Sequence, residues 1–215
     1  MAAAPSPLTL SRMKTPTLIL LTAGLTSLGC TNSTRAGRSA RRRQKPTAAA
    51  SNTAAEMATI ELTTLIRAPS ERCFDLSRSV DLHVASTTDT GERAVGGVMS
   101  GLLSLGEEVT WSARHFGVRQ ELTSRITAFE RPRHFRDSMV AGAFRRFDHD
   151  HFFVATESGT EMKDVFDFES PLGPLGRLAD ALVLTRYLRG FLERRNEVIK
   201  RAAESEGWRA LLPSP

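Results

Sequence analysis

The sequence contains few of the residues and patterns that crosslink a chain or span a membrane. Only two of its 215 residues are cysteines, Cys30 and Cys73, and two thiols are too few for a disulfide framework or a cysteine-based zinc site. The mainly apolar stretch from Leu18 to Leu28 is shorter than the roughly 20 residues that cross a bilayer. Residues 1–56 contain no Phe, Trp or Tyr. These deficits exclude a disulfide-stapled miniprotein and leave residues 1–56 unable to build a core.

The formal charge of +5 is unevenly distributed along the chain. Residues 1–56 carry eight basic groups and one acidic group, whereas residues 57–215 carry 21 basic and 23 acidic groups. A basic protein suggests nucleic acid or an anionic membrane as its partner, but here the excess lies in the segment without a core. We therefore expect a disordered basic leader (residues 1–56), a folded domain at 57–206, a tail at 207–215, and no nucleic-acid partner.

The leader has three interpretations. Arg12 and Lys14 precede the apolar stretch, which leads to Cys30 in the order of a secretory or lipoprotein signal. Two features oppose export, namely Ser27 three positions before the cysteine and the basic run RAGRSARRRQKP soon after it. The favoured interpretation is a cytoplasmic domain that starts at Met57. The alternatives are export or lipid anchoring through Cys30, and a basic tail that binds nucleic acid or lipid.

The hydrophobic pattern after Met57 predicts a strand, two short helices and six further strands. Alternation up to Ile66 predicts the first strand, and Pro69 and Ser79 suit the starts of the two helices. Short turns separate the later strands, so neighbours should pair antiparallel. We predict these six strands at Arg93–Met99, Glu107–Phe116, Val118–Phe129, His134–Ala141, Arg145–Thr156 and Thr160–Ser170.

Apolar residues at helical spacing predict a long amphipathic helix from Leu175 to about Ser205, with Arg194 and Arg195 among the charged residues assigned to its other face. The resulting α+β order packs simply if a seven-stranded antiparallel sheet curves around this helix and the two short helices close one end. No stable membrane span is expected. Such a packing often leaves a cavity between its layers.

Four segments resemble the bacterial ligand-binding members of the SRPBCC superfamily, over about residues 57–205. They are TIELTTLIRAPSERCFDLSRSVDLH, EEVTWSARHFGVRQELTSRITAFERP, FRRFDHDHFF and SPLGPLGRLADALVLTRYLRGFLERRNEVIK. The resemblance implies the helix-grip fold that START domains, the birch pollen allergen and polyketide cyclases share. It also implies a deep cavity for a hydrophobic or amphipathic small molecule, whereas a shared fold does not transfer an active site.

Strand parity predicts which side chains face the cavity. In the strand 145–156, Phe147, His149, His151 and Phe153 alternate with a set assigned to solvent that includes Asp148 and Asp150. A hairpin register that pairs aromatic with aromatic residues places His151 opposite Asp164. In the preceding hairpin, a three-residue loop from Gly142 to Phe144 places His149 opposite Asp137. The predicted ligand-binding residues are Trp111, His115, Phe135, Asp137, Phe147, His149, His151, Phe153, Asp164 and Phe166.

The polar cluster Asp137, His149, His151 and Asp164 has two interpretations. Its pairs either satisfy one another and orient a ligand, or His149 or His151 transfers a proton with Asp137 or Asp164, as in a cyclase or dehydratase. We favour a non-catalytic cavity protein that binds or carries a hydrophobic small molecule, with the enzyme as the alternative. His149, His151 and Asp164 lack a further dedicated His or Cys ligand, so we predict no metal and no cofactor. Cys73 is predicted to be a small buried hydrophobe.

Overall fold

A computed structural model of the protein describes residues 58–169 and 183–212. The chain divides into two units, residues 1–53 and 54–215, and every described residue lies in the second. The predictions for the leader, for Cys30 and for a helix start at Leu175 therefore fall outside the described residues. Across the described ranges, no helix is both long enough and apolar enough to cross a bilayer.

The described part contains seven strands and three α-helices in the predicted order. Their bounds are β1 Ala58–Ile66, α1 Ser70–Ser77, α2 Val80–Ser86, β2 Arg93–Gly97, β3 Glu108–His115, β4 Val118–Glu130, β5 His134–Ala141, β6 Arg146–Thr156, β7 Gly159–Glu169 and α3 Thr185–Glu204. The strands form one antiparallel sheet in the order β1-β7-β6-β5-β4-β3-β2. The predicted α+β helix-grip architecture is confirmed.

The predicted pairing of the central strands is confirmed residue by residue. His151 on β6 lies opposite Asp164 on β7, and Asp137 on β5 lies opposite His149 on β6. A slip by one residue would turn the aromatic side chains of β6 away from the core and its charged ones into it, so burial on one face specifies the register. The predicted cap of α2 is also present, because Ser79 Oγ accepts a hydrogen bond from the amide N–H of Leu82 at 3.2 Å.

Asp148 and Asp150 correct one expectation about the outer face of the sheet. Both project outward, but they are only 9% and 5% exposed. Asp150 accepts hydrogen bonds from Arg136 Nη2 at 2.7 Å and His134 Nε2 at 2.6 Å, and Asp148 accepts one from Ser138 Oγ at 2.6 Å. Alternation predicted the face correctly, but neighbouring polar side chains cover these carboxylates and exclude solvent.

The core centres on Phe74 of α1, which is fully buried. Its ring packs edge-on against the rings of Phe129, Phe135 and Phe153, with centroid distances of 5.2 to 5.4 Å. Cys73 beside it is buried as predicted. Burial raises the pKa of the Cys73 thiol, so the thiol stays protonated and behaves as an apolar side chain.

Part of the predicted tail at 207–215 belongs to the packed structure. Trp208 lies in a short 3₁₀ helix, Glu206–Ala210, and the guanidinium of Arg72 stacks over its ring at 4.4 Å from the centroid. Trp208, Leu211 and Leu212 pack against the core. These apolar side chains extend the domain to at least residue 212, because they cover surface next to α1.

Replacing Phe74 by alanine should lower the free energy of unfolding by about 3–5 kcal/mol, since it empties a ring-sized site among three aromatic side chains. Val154→Ala is the control, because Val154 is 59% exposed and should change stability by no more than about 0.5 kcal/mol. Urea unfolding monitored by circular dichroism measures both variants. Equal losses in the two variants would show that Phe74 is not central to the core.

Candidate functional site

A cavity of about 180 Å³ lies between the sheet, the α1–α2 region and α3. Its wall is mainly apolar and includes Leu122, Ile126 and Phe191. Seven of the ten residues predicted to bind ligand lie on this wall. They are Trp111, His115, Phe135, Asp137, Phe147, His149 and Phe166.

The other three predicted residues, His151, Phe153 and Asp164, are not on the cavity wall. Phe153 packs against Phe74 of α1, and His151 and Asp164 are completely buried. Parity placed all three correctly on the concave face of the sheet. Strand alternation does not reveal which positions on that face pack against other side chains. These three residues are buried in such packing and so do not reach the cavity.

Asp164 is the centre of the buried polar network. Its Oδ1 lies 3.1 Å from His149 Nε2 and 2.8 Å from His151 Nδ1, and the latter contact is out of line for a hydrogen bond. Its Oδ2 accepts a hydrogen bond from Asn196 Nδ2 at 2.6 Å, and Arg195 Nη1 lies 3.9 Å from Oδ1. One carboxylate thus joins β7 to β6 and to α3.

The two histidines form hydrogen bonds diagonally and not with the residues directly opposite them. His149 bonds Asp164, and His151 Nε2 lies 3.2 Å from Asp137 Oδ2. The predicted partner of His149, Asp137, remains 3.9 Å from its Nδ1. The register prediction is right, yet the hydrogen-bond partners differ, because diagonal neighbours on antiparallel strands are also within reach of long side chains.

The surroundings shift the pKa values of the two histidines in opposite directions. Burial by itself lowers the pKa of both. For His151 the flanking carboxylates Asp137 and Asp164 outweigh burial and raise its pKa, whereas for His149 burial and the neighbouring His151 charge prevail and lower its pKa. Burial opposes ionisation of Asp164 and Asp137, but their hydrogen bonds with the histidines hold both pKa values below the ordinary range. The cluster therefore holds two carboxylates, a His149 that is neutral at neutral pH and a His151 that keeps its proton to higher pH than an exposed histidine.

His149 is consequently a neutral, oriented imidazole on the cavity wall. An ionised carboxylate only accepts hydrogen bonds, so His149 Nε2 must carry the proton that it shares with Asp164. The unprotonated nitrogen is then Nδ1, whose closest carboxylate oxygen, on Asp137, is beyond hydrogen-bonding distance at 3.9 Å. This arrangement can accept a hydrogen bond or a proton from a bound molecule.

Sequence reasoning missed Arg195 and Asn196, which α3 contributes to this site. Arg195 was assigned to the exposed face of the helix, but it is only 6% exposed, and Asn196 is only 2% exposed. They lie three and four residues after Leu192, and Ile199 follows at the same helical spacing. Both residues are therefore on the buried face of α3. A polar interruption in an otherwise apolar stripe was the available signal for two buried polar side chains.

A second polar group on the wall comprises the predicted His115 and three residues that sequence reasoning missed, His83, Glu92 and Tyr187. The ring of His83 stacks on Trp111 at a centroid distance of 4.1 Å, and its Nε2 lies 3.2 Å from Glu92 Oε2. His115 Nδ1 is hydrogen-bonded to the Tyr187 hydroxyl at 2.8 Å. Glu92 lies in a turn between α2 and β2, where strand parity and helix periodicity give no information.

Asp137, His149 and His151 offer ligand atoms that all lie within 4.8 Å of one another, which is close enough to consider a metal ion. Both nitrogens of His151 face carboxylates, and the Arg195 guanidinium adjoins the same Asp164. These groups already balance one another's charge, so the donor set fits an internal ion-pair network better than a cation. The prediction of no metal stays a prediction.

Comparison with solved structures identifies the fold. The chain is similar to TTHA0849 from Thermus thermophilus (TM-score 0.54, 18% identity, 68% of this chain and 99% of that one). It is also similar to CV1439 from Chromobacterium violaceum (TM-score 0.51, 12% identity, 68% and 98%) and to ginseng major latex-like protein 151 from Panax ginseng (TM-score 0.51, 16% identity, 69% and 99%). No protein-family profile and no curated protein sequence matches the chain. The chain therefore shares with these proteins the helix-grip fold that the sequence resemblance implied.

The two buried histidines should titrate separately. We expect His151 to keep its imidazolium form above pH 6.5, the ordinary midpoint of an exposed histidine, and His149 to remain neutral below it. Ring nitrogen chemical shifts from ¹⁵N-labelled protein distinguish these forms and should show the Nε2–H tautomer for His149. His151→Gln serves to assign the signals. Titration of both rings together near pH 6.5 would contradict this arrangement of charges.

Proposed function

We propose that the protein binds or carries a small molecule with a hydrophobic body and a polar group, and that the ligand occupies the cavity between the sheet and α3. The observation that carries this proposal is the composition of the wall, where aromatic and aliphatic side chains surround a few polar groups that converge from different elements. Such a surface favours an apolar ligand and orients it through a small number of hydrogen bonds.

The volume of the cavity supports a ligand of one or two rings. An apolar protein cavity of roughly 150 Å³ admits benzene, and this one measures about 180 Å³. Trp111, Phe135, Phe147 and Phe166 supply flat ring surfaces around it. His149 is one of the polar groups on the wall, and Asp164 behind it sets its orientation.

Filling the cavity should abolish binding without unfolding the domain. Ser124 lines the cavity and is 5% exposed, so Ser124→Phe inserts a ring there at a cost of about 1–3 kcal/mol in stability. We expect isothermal titration calorimetry with 2-naphthol to show at least a tenfold loss of affinity. Thr127→Phe, on the exposed face of the same strand, should bind as the unsubstituted protein does.

Native mass spectrometry of the purified protein provides an independent test, because a carried ligand should remain bound and add a defined mass. The proposal is wrong if no mass is added and 2-naphthol does not bind. It is equally wrong if the folded Ser124→Phe variant binds 2-naphthol with unchanged affinity.

A second candidate function is proton transfer at a carbon next to a carbonyl group, as in a cyclase or dehydratase. The neutral imidazole of His149 favours it, since its protonated Nε2 is held by Asp164 and its Nδ1 lies 3.9 Å from Asp137 Oδ2, beyond hydrogen-bonding distance. His151 has no such role in this proposal, because it is fully buried and off the wall.

Deuterium exchange of 2-tetralone in D₂O, followed by proton NMR, tests this second function. His149 Nδ1 would take a proton from the carbon beside the ketone, and the resulting enolate would regain a deuteron from solvent. We expect His149→Gln to slow protein-catalysed exchange by at least about 100-fold, and His134→Gln on the outer face to have no effect. Exchange no faster than in buffer, or unchanged in His149→Gln, would exclude His149 as a general base.

A further inference from the structure

We infer that the cavity selects an uncharged ligand with two polar ends, whose hydrogen-bond donor is received by Glu92 and whose carbonyl oxygen is received by Arg195. This inference rests on the proposed function and deepens it, because it specifies the chemical class of ligand. It is carried by two buried polar groups on the cavity wall that lack full hydrogen bonding within the described residues.

Glu92 forms the end of the cavity that receives a donor. The residue is 6% exposed and lies on the wall. Its Oε2 is close to His83 Nε2, at 3.2 Å, but the two atoms are not aligned, and neither has a hydrogen-bond partner among residues 58–169 and 183–212. A buried oxygen without a partner costs free energy, which a ligand O–H or N–H would recover.

The charge state of Glu92 decides whether it can bind a hydrogen-bond donor or an acceptor on the ligand. Burial opposes its ionisation, but the adjacent His83 outweighs burial and holds the pKa of Glu92 below its ordinary value. An ionised carboxylate is an acceptor only, so its partner on the ligand must be a donor. The Trp111 ring, stacked on His83, provides a flat apolar surface beside this group.

Arg195 forms the end that receives an acceptor. Its Nη2 donates a hydrogen bond to the Ser77 carbonyl oxygen at 2.7 Å, which fixes the guanidinium in place. Its Nη1 is buried and has no hydrogen-bond partner in the described part of the chain, and Asp164 Oδ1 is 3.9 Å away. Guanidinium groups only donate, so the ligand atom at this end must accept a hydrogen bond.

The charges around Arg195 favour a neutral carbonyl over a carboxylate. Asp137 and Asp164 adjoin the same cluster, so two negative charges already lie beside Arg195 and His151. An additional anion would leave net negative charge in a region of low dielectric constant, which is unfavourable. A ketone, aldehyde or amide oxygen adds no charge.

The strands that lie near the two ends give an estimate of their separation. Trp111 marks the Glu92 end on β3, whereas Asp137 and His149 mark the Arg195 end on β5 and β6. Two or three strand spacings amount to roughly 10–14 Å along the sheet, and curvature shortens the direct path. Two fused rings with substituents at opposite ends match this separation.

Three naphthalene probes test the inference on the unsubstituted protein by isothermal titration calorimetry. 6-Acetyl-2-naphthol carries both the donor and the carbonyl, 2-naphthol carries the donor, and 2-acetylnaphthalene carries the carbonyl. We expect the bifunctional probe to bind at least about tenfold more tightly than either of the others, since each end adds one hydrogen bond to a charged group. 6-Hydroxy-2-naphthoate should bind more weakly than 6-acetyl-2-naphthol.

Two substitutions test which residue binds each end of the ligand. Glu92→Gln should reduce the preference for 6-acetyl-2-naphthol over 2-acetylnaphthalene to about twofold or less, and leave the affinity for 2-acetylnaphthalene unchanged. Arg195→Met should weaken both carbonyl probes and leave 2-naphthol unchanged. Thermal unfolding verifies that each variant is folded, and the probe series on the unsubstituted protein stands independently of both variants.

Equal affinities for the three neutral probes would overturn the inference and leave the proposed function intact. The cavity would then bind the rings without recognising their polar substituents. Tighter binding of the naphthoate than of the ketone would overturn the assignment of a neutral carbonyl to the Arg195 end. Failure of every probe to bind would contradict both this inference and the proposed function.

Discussion

The site depends on one buried carboxylate, that of Asp164. It is fully excluded from water, and a charged group in that position is tolerated only because several donors surround it. The histidines come from β6 and the amide of Asn196 comes from α3, so the carboxylate couples the register of the sheet to the position of the helix. Removing it would leave those donors buried without their acceptor.

The same carboxylate gives two similar histidines different properties. His151 lies between Asp137 and Asp164, which raise its pKa, whereas His149 reaches only one carboxylate at hydrogen-bonding distance and its pKa is lowered. His149 is the one on the cavity wall. A positively charged histidine there would favour an anion, and a neutral one with an unprotonated nitrogen favours a donor or an acidic proton.

Sequence reasoning succeeded where one physical rule decided the outcome. Alternation specified the faces of β6 and β7, and the cost of opposing aromatic with charged side chains specified their register, so the placement of His151 opposite Asp164 could be predicted. It failed for Arg195, because helix periodicity was read from apolar residues alone. It also failed for Glu92, because no periodic rule applies to a turn.

The sequence by itself determined the element order, the antiparallel sheet, its register and the set of side chains on its concave face, because these follow from local periodicity and from nearest-neighbour pairing. Only the tertiary structure decided which of those side chains the helices cover and which remain on the cavity. It also decided the diagonal hydrogen bonds of the histidines and the arrival of Arg195 from α3 and of Glu92 from a turn. These outcomes depend on how distant segments pack, and the free energy of burying each charge depends on partners that are remote in the chain.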